Sequence, residues 1–267
     1  MQTVAITGVA GRMGRRIAAL AIESEQFDVA AALEAPGHDA VGRDVGELAG
    51  VGTFGLAVTT DLDDDVDVMI DFSLPEGTMR FLPACRERGI ALVTGTTGLT
   101  ASQQAEIADT ASRIAIVQAP NFSVGINVLL KAVAMVARAL GEAYDVEVAE
   151  THHRFKKDAP SGTAIALARS ICGATGRDYG EVAVLGRGGQ CPRRPGEIGM
   201  HALRVGDTVG EHSVHFGTLG ETVTLGHSAH TRDTFVRGAL RAAEWLAGRE
   251  PGLYDMHDVL DMGKTNG

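Results

Sequence analysis

The sequence predicts an α/β protein with an N-terminal Rossmann-like domain on a parallel sheet and a C-terminal domain of mixed α/β structure. Apolar runs of strand length alternate with helical stretches as far as Gln118, the pattern of a parallel sheet covered on both faces. The spaced glycines Gly8, Gly11 and Gly14 follow the first run, as they do in dinucleotide-binding folds. After Phe122 the pattern changes, so a second domain is expected to begin near residue 123.

The N-terminal half contains five predicted strands, each a short run rich in Val, Ile, Leu or Ala. They cover residues 4–6, 29–33, 66–71, 90–94 and 114–118. Helices are predicted over residues 15–22 and 100–112. Another helix is predicted to open with Ser73 as its N-cap, since Pro75 falls in the first turn and Glu76 lies three residues after the cap.

The C-terminal half begins with a long predicted helix, whose apolar positions recur every three or four residues over residues 124–140. A half-buried strand at residues 145–150 and a helix at residues 161–172 follow. Three segments are then predicted to form antiparallel strands, and an amphipathic helix closes the pattern. These four elements cover residues 200–205, 212–216, 222–226 and 234–246.

Composition and charge exclude several classes of protein. The chain of 267 residues carries 24 Lys and Arg against 34 Asp and Glu, a net charge of −10, which makes a general binder of nucleic acid or anionic membrane unexpected. Cys85, Cys172 and Cys191 show no paired spacing, so buried thiols are expected rather than a disulfide framework. The sequence has no run of about 18 apolar residues, so no membrane-spanning helix is expected. The strand pattern at the N-terminus leaves no room for a signal peptide, and a cytoplasmic protein is expected.

The glycine motif predicts a nucleotide site. Glycines at this spacing allow a tight turn, and the following helix offers amide groups to a pyrophosphate. Glu34 ends the second strand 20 residues after Gly14, where a ribose-binding acid belongs. The alternative is a glycine turn with a purely structural role.

Two further segments follow predicted strands. Gly95, Thr96, Thr97 and Gly98 come after one strand, and the run from Ala119 to Phe122 comes after the next. Open parallel sheets bind ligands at the carboxyl ends of their strands. Both segments are therefore candidates for ligand contact, although both could be simple turns.

The densest group of chemically active residues lies between Glu150 and Thr163. It holds His152, His153 and three cations within six residues, and it ends in Ser161, Gly162 and Thr163 at the start of a helix. Cations beside helix N-terminal amides form a plausible receptor for a carboxylate or phosphate. The alternative is a solvated basic loop. A metal site lacks suitable carboxylate or Cys ligands, and none is predicted. Five histidines scattered over the strand patterns are expected to be sheet-face or hydrogen-bonded residues and not catalysts, namely His201, His212, His215, His227 and His230.

These motifs together resemble the 4-hydroxy-tetrahydrodipicolinate reductase (dihydrodipicolinate reductase) family over nearly the whole chain. The family signature E-x-H-H-x-x-K-x-D-x-P-S-G-T-A is present from Glu150 to Ala164. The resemblance also includes residues 8–14, 71–73, 95–98, 119–124, 204–212 and 252–260.

The resemblance implies an enzyme that uses NADH or NADPH to reduce a cyclic imine-type dicarboxylate on the diaminopimelate route to lysine. Residues 1–123 would form the dinucleotide-binding domain, with the C-terminal helix and tail (233–267) packing back on it. Residues 124–232 would hold the substrate and build a homotetramer. His152 and Lys156 would be the catalytic pair. The substrate would be held by His153, Ser161, Gly162 and Thr163. The cofactor would be contacted by Gly8, Val9, Ala10, Gly11, Arg12, Met13, Glu34, Gly95, Thr96, Thr97, Ala119, Pro120, Asn121 and Phe122.

One position departs from the family pattern. Many members carry Arg directly after the ribose-binding acid, where it can meet a 2′-phosphate, whereas this chain has Ala35. Arg12 and Arg43 remain as candidates for that contact, and exclusive use of NADPH is not expected. Two rival functions stay open from the residues alone. They are a non-catalytic dinucleotide sensor and a dehydrogenase acting on an amino-acid semialdehyde.

Overall fold

The computed structural model describes residues 1–263 and divides into two compact units. Within the described residues, the first unit comprises Met1–Val124 and residues 233–263. The second unit is Gly125–Arg232. The polypeptide therefore leaves the first unit after Val124 and returns to it at Asp233.

The first unit is built on a six-stranded sheet in which all paired strands are parallel. Its strands are β1 (Gln2–Thr7), β2 (Phe27–Leu33), β3 (Val68–Asp71), β4 (Ala91–Thr94), β5 (Ala115–Gln118) and β11 (Gly252–Tyr254). The spatial order is β11-β5-β4-β3-β1-β2. The chain thus reverses its direction of travel across the sheet between β1 and β3, and open α/β sheets bind ligands at the carboxyl ends of strands at such a switch point.

Helices cover both faces of this sheet. They are α1 (Arg12–Ile22), α2 (Val45–Ala49), α3 (Pro75–Arg88), α4 (Ala101–Thr110), α8 (Asp233–Leu246) and α9 (Met256–Val259). On one face, Ile17 of α1 and Val236 of α8 share a core with Val4. On the other, Leu82 of α3 and Ile107 of α4 pack with Ala5 and its neighbours. Burial of both faces explains why the strand sequences are continuous apolar runs.

The second unit has a mixed five-stranded sheet with the order β10-β9-β6-β8-β7. Its strands are β6 (Asp145–His152), β7 (Ala183–Leu185), β8 (Ile198–Arg204), β9 (Gly210–Thr218) and β10 (Glu221–Ala229). Its helices are α5 (Val124–Leu140), which a 3₁₀ turn at Gly141–Ala143 follows, α6 (Gly162–Thr175) and α7 (Tyr179–Val182). Val146 and Val148 of β6 pack with Val133 of α5 and Leu167 of α6, so the helices cover one face of the sheet.

Strand β8 corrects the prediction of three antiparallel C-terminal strands. It runs parallel to β6 and β7, whereas β9 is antiparallel to both β6 and β10. The segment after β8 pairs with the segment after β6, because the Val205 amide donates to the His152 carbonyl at 2.9 Å and the Arg154 amide donates to the Gly206 carbonyl at 3.1 Å. These two hydrogen bonds continue the parallel pairing of β8 with β6. The chain then crosses β6 to reach β9 on its other side, whereas a hairpin would have placed β9 next to β8.

Ser73 is not the N-cap of α3. That position is Leu74, which makes no capping bond with its side chain. The Ser73 hydroxyl instead donates to Asp71 Oδ1 at 2.5 Å. The prediction of this N-cap is wrong because the Ser73 hydroxyl binds the buried carboxylate of Asp71 instead of the helix amides. The sequence does not show that these two side chains meet.

The expectation that the sequence contains no stretch long and apolar enough to span a membrane is wrong for helix α5. Residues 124–143 are long and apolar enough to cross a membrane by length and composition. Leu129, Val133 and Ala137 of this helix lie in the apolar core of the second unit, as residues of a core helix do. Among the cysteines, Cys85 and Cys172 are buried as expected, whereas Cys191 is exposed.

Candidate active site

The glycine loop lies between β1 and α1, at the switch point of the parallel sheet. Gly8 has φ of +66°, a conformation that L side chains rarely adopt. A Cβ on Gly14 would lie 2.1 Å from the Gly8 carbonyl oxygen, so only glycine lets the helix start this close to the loop. Helix α1 has Gly11 as its N-cap, with no side chain capping it. Its first amides are thus presented as an anion receptor without a competing side chain.

A cavity of about 500 Å³ opens beside this loop. Glu34 forms part of its wall together with Gly8, Gly11 and Ser73. Glu34 Oε2 accepts a hydrogen bond from the Ala10 amide and Oε1 accepts one from the Ala35 amide, both at 2.9 Å. The backbone therefore fixes the carboxylate at the cavity wall, where its remaining lone pairs can accept hydroxyl groups. The loop, the open helix end and the fixed acid fit a bound dinucleotide.

The basic residues that line this cavity differ from those expected. Arg80 and His38 line it, whereas Arg12 and Arg43 are not among its lining residues. Arg80 is held by Asp61, with Nη2 and Oδ1 2.9 Å apart. Sequence reasoning missed Arg80 because the residue belongs to α3, which only the fold brings against the end of β2.

The two loops at the neighbouring strand ends adjoin one another. The Gly95 amide donates to the Asp71 carbonyl at 2.9 Å, and the Ala119 amide donates to the Thr94 carbonyl at 3.2 Å. Thr96 is buried, whereas Thr97 and Pro120 are exposed. The Asn121 side chain accepts the Ser123 amide at 2.8 Å. The Phe122 ring is 1% exposed and packs 5.3 Å from the Phe72 ring, so its visible role is to support these loops.

In the second unit, Glu150 organises the end of β6. Its two oxygens accept both terminal nitrogens of Arg204 at 2.8 Å. Oε2 also lies 2.5 Å from His152 Nδ1, and Oε1 accepts the Ser161 amide at 3.0 Å. One buried carboxylate thus joins β6, β8 and the start of α6. Glu150 belongs to the family signature, but a role for it could not be assigned from the sequence.

These contacts shift the pKa values of Glu150 and His152. Burial favours the neutral carboxyl group of Glu150, but the hydrogen bonds from Arg204, His152 and Ser161 outweigh it, so its pKa lies below the ordinary value. For His152, burial is the largest effect, and it lowers the pKa of the imidazole despite the opposing hydrogen bond to Glu150. His152 is therefore neutral at pH 7, with the proton on Nδ1 directed at Glu150 and Nε2 left to accept.

His212 is a neighbour of His152 that sequence reasoning grouped with the scattered histidines. Its ring packs edge-on against His152 with centroids 5.2 Å apart, and its Nε2 lies 3.2 Å from the Ser161 hydroxyl oxygen. Burial, and then the nearby His152, lower the pKa of His212 to about 4. Gly210 also borders the site, because a Cβ there would lie 3.0 Å from His152 Nε2. Register pairing of β6 with β9 could have revealed these neighbours, but the sequence does not show the register.

The loop after β6 carries the remaining candidates. Lys156 Nζ lies 3.0 Å from Asp158 Oδ2. His153 Nδ1 is buried without a hydrogen-bond partner among residues 1–263, which leaves that nitrogen for a ligand. Ser161 caps α6, its hydroxyl oxygen accepting the Ala164 amide at 3.1 Å. Gly162 and Thr163 form the first helical positions, where helices present amides to anions.

Two other histidines behave as expected for a sheet face. His201 Nε2 lies 2.7 Å from Glu147 Oε2. His215 hydrogen-bonds Ser213 and Thr224, each at 3.0 Å. Both rings lie on the opposite face of the sheet from His152 by strand alternation.

A glycine loop that fits a dinucleotide, in a fold that also carries a cluster of His and Lys side chains, is typical of a dinucleotide-dependent oxidoreductase. Comparison with known proteins makes the class specific. The family model described as "Dihydrodipicolinate reductase, N-terminus" matches residues 2–122, and the model described as "Dihydrodipicolinate reductase, C-terminus" matches residues 125–260. The chain belongs to this family.

Individual relatives agree. A 4-hydroxy-tetrahydrodipicolinate reductase from Alkalilimnicola ehrlichii is 49% identical over 97% of this chain and 98% of its own length. One from Citrifermentans bemidjiense is 47% identical over 98% of this chain and 100% of its own. The solved structure of dipicolinate-bound dihydrodipicolinate reductase from Paenisporosarcina sp. TG-14 shares the fold, with a TM-score of 0.75 at 23% identity over 96% of this chain and 97% of that one. The protein is an NADH- or NADPH-dependent oxidoreductase of the lysine-biosynthetic reductase type.

Proposed function

We propose that this chain reduces 4-hydroxy-tetrahydrodipicolinate to tetrahydrodipicolinate, with His152 and Lys156 as the catalytic pair. The observation that carries the proposal is the oriented histidine of the second unit, whose Nδ1 lies 2.5 Å from a buried carboxylate. The family membership supports the substrate, because relatives at 47% and 49% identity carry this activity in their names.

The cofactor is held by the first unit. The proposed contacts are the glycine loop and start of α1 (Gly8–Met13), the Glu34 carboxylate, the β4 loop (Gly95–Thr97) and the β5 loop (Ala119–Phe122). When bound, the reduced nicotinamide supplies a hydride to an electron-poor ring carbon of the substrate. The substrate carries a 4-hydroxyl group that the product lacks, so the overall reaction takes up one hydride and one proton and releases that hydroxyl group as water. The chain's own contribution is to place the nucleotide and to supply the proton.

The start of α6 receives the substrate carboxylates. The amides of Gly162 and Thr163, the Ser161 hydroxyl and the free His153 Nδ1 supply hydrogen bonds there. A planar aromatic dicarboxylate, pyridine-2,6-dicarboxylate, is therefore expected to compete with the substrate. The Paenisporosarcina relative is known with dipicolinate bound, which supports this assignment.

Lys156 donates the proton. His152 is neutral and its Nδ1 proton is directed at Glu150, so Nε2 accepts rather than donates. Lys156 lies on the loop directly after β6, with its Nζ 3.0 Å from Asp158 Oδ2. His152 then orients or relays the proton, and Lys156 acts as the general acid.

Kinetics on three variants test these roles. Lys156→Ala should lower kcat by roughly 10²–10⁴, the usual loss of a positioned acid. His152→Gln keeps a polar side chain that cannot take up or release a proton near neutral pH, so it should lower kcat by a smaller factor. Ser161→Ala should mainly raise KM, because the receptor loses one hydroxyl while the helix amides stay in place.

NADH titration of the same variants is the control. None of the three residues belongs to the proposed nucleotide site, so NADH affinity should stay near that of the wild type. If Lys156→Ala keeps the wild-type kcat and changes only KM, Lys156 anchors a carboxylate and the assignment of the acid is wrong.

The roles of the two units, the assembly and the location of the protein are also proposals. Residues 1–123 with 233–267 would bind the dinucleotide, and residues 124–232 would bind substrate and form a homotetramer; residues 264–267 lie outside the described part of the chain. The protein would act in the cytoplasm without nucleic-acid or membrane partners. Light scattering on the purified protein should give four times the chain mass of 27.9 kDa, and a monomer would contradict the assembly.

A further inference from the structure

Asp71 is a buried carboxylate that the proposed mechanism does not use. It ends β3 at the centre of the parallel sheet, and its side chain is buried with the whole residue only 1% exposed. No salt bridge formed within residues 1–263 includes Asp71. Burying a charged carboxylate without a cation is costly unless hydrogen bonds replace the lost water, so the donors around it need an explanation.

Six donors surround this carboxylate. The donors to Oδ1 are the Thr7 hydroxyl at 2.6 Å, the Ser73 hydroxyl at 2.5 Å and the Ser73 amide at 3.1 Å. The donors to Oδ2 are the hydroxyls of Thr78 at 2.5 Å, Thr94 at 3.0 Å and Thr96 at 3.0 Å. We call this group the Asp71 cluster. An ionised carboxylate has about four lone-pair sites, so the cluster saturates it with donors that are all aimed inward.

The donors belong to the segments that form the nucleotide edge of the sheet. Thr7 directly precedes Gly8, the first glycine of the loop. Ser73 packs against that same glycine, because a Cβ on Gly8 would lie 2.9 Å from Ser73 Cα. Thr94 and Thr96 flank Gly95, whose amide also donates to the Asp71 carbonyl at 2.9 Å. The cluster therefore ties together the loops after β1, β3 and β4.

We propose that Asp71 is a positioning residue for nucleotide binding, which holds these three loops in the register that a dinucleotide requires. A carboxylate suits this task because it can accept several hydroxyl protons at once, and such charge-assisted bonds are short and strong. An amide of the same size would turn one oxygen into a donor and face hydroxyl groups that already donate. This inference rests on the proposed function only in taking the nucleotide to be NADH or NADPH.

The test is Asp71→Asn, with NADH affinity measured by titration at a temperature where circular dichroism shows the variant folded. The dissociation constant for NADH should rise at least about tenfold. In steady-state kinetics KM for NADH should rise, while KM for the cyclic substrate stays within about twofold, because its proposed site lies in the second unit. A merely stabilising role would lower the melting temperature and leave both constants unchanged.

Asp67→Asn is the matched control. Asp67 lies just before the same strand at its other end, and it also accepts a threonine hydroxyl, that of Thr3 at 2.7 Å. It does not line the cavity beside the glycine loop. Its substitution should leave NADH affinity within about twofold of the wild type.

A second variant covers the case in which Asp71→Asn does not fold. Thr78→Val removes one donor from α3 without altering a residue of the cavity wall, and it should raise the NADH dissociation constant about threefold, in line with the loss of one buried hydrogen bond. Folded Asp71→Asn or Thr78→Val protein with wild-type NADH affinity would overturn the inference. A wild type that fails to bind NADH would instead contradict the proposed function, and that result is read from the wild-type titration alone.

Discussion

At the residue scale, we expect single residues at the cavity beside the glycine loop to decide between NADH and NADPH. Glu34 is fixed at the wall by two backbone amides, Ala35 supplies no cation, and the nearby Arg80 is paired with Asp61. A carboxylate accepts ribose hydroxyls and repels a 2′-phosphate. NADH should therefore bind at least as tightly as NADPH.

Calorimetric titration with both nucleotides measures this preference. Glu34→Gln removes the repulsion and should move the affinity ratio toward NADPH by roughly tenfold, about 1.4 kcal/mol. A wild-type preference of tenfold for NADPH would show that another cation, such as Arg80, governs the site.

His212 makes the stability of the protein depend on pH. Its pKa falls from the ordinary 6.5 to about 4 in the folded protein, chiefly through burial. Between these values the unfolded chain binds more protons than the folded one, so stability is lost as the pH falls through this window. For this residue the loss between about pH 7 and about pH 5 should be about 2 kcal/mol.

Denaturant unfolding at the two pH values tests this expectation. His212→Gln keeps a hydrogen-bonding side chain beside Ser161 but does not titrate, so its stability should fall less on acidification. His215→Gln changes a histidine on the opposite face of the same strand, and it should keep the wild-type dependence. Equal pH dependence in wild type and His212→Gln would show that other groups are responsible.

At the scale of elements, strand β9 borders the proposed catalytic histidine with Gly210, a residue without a side chain. A Cβ on Gly210 would lie 3.0 Å from His152 Nε2, tight enough to displace the ring or block its accepting nitrogen. Gly210→Ala should lower kcat by about tenfold or more and leave NADH affinity unchanged.

Gly217→Ala is the control for that change. It lies on the same strand, and its added Cβ would meet Thr222 at an ordinary 3.5 Å. Wild-type kcat in Gly210→Ala would show that His152 does not need the space that Gly210 leaves.

The elements that the sequence predicted well are those with several turns or several buried residues. The apolar period of α5 predicted both of its ends, and the strand predicted at residues 145–150 is β6, which runs two residues further to His152. Five elements of three to five residues were not predicted, namely α2, α7, α9, β7 and β11. Elements this short carry too few residues to show a period. The parallel course of β8 was missed because parallel pairing depends on contacts with β6, distant in sequence.

At the scale of the whole molecule, the family motifs located the two candidate sites but not the residues that organise them. Asp71 and Glu150 both lie within those motifs. Their roles could not be predicted, because the hydroxyl, arginine and amide groups that bind these carboxylates belong to other parts of the chain. His212, Gly210 and Arg80 lie far along the chain from the motifs that they adjoin. Such neighbours follow from strand register and helix packing, which composition and spacing do not determine.

The central claim is that this chain transfers a hydride from NADH to a cyclic dicarboxylate, and a single-turnover experiment tests it most directly. The protein is first loaded with less than one equivalent of NADH, so that all the NADH is bound. It is then mixed with 4-hydroxy-tetrahydrodipicolinate, and the loss of NADH absorbance is followed with time. We expect one NADH to be oxidised for each reduced product formed, and the rate should fall in Lys156→Ala. Bound NADH that stays reduced would indicate a nucleotide sensor, and NADH oxidation only with an amino-acid semialdehyde would indicate a different dehydrogenase; either result would contradict the claim.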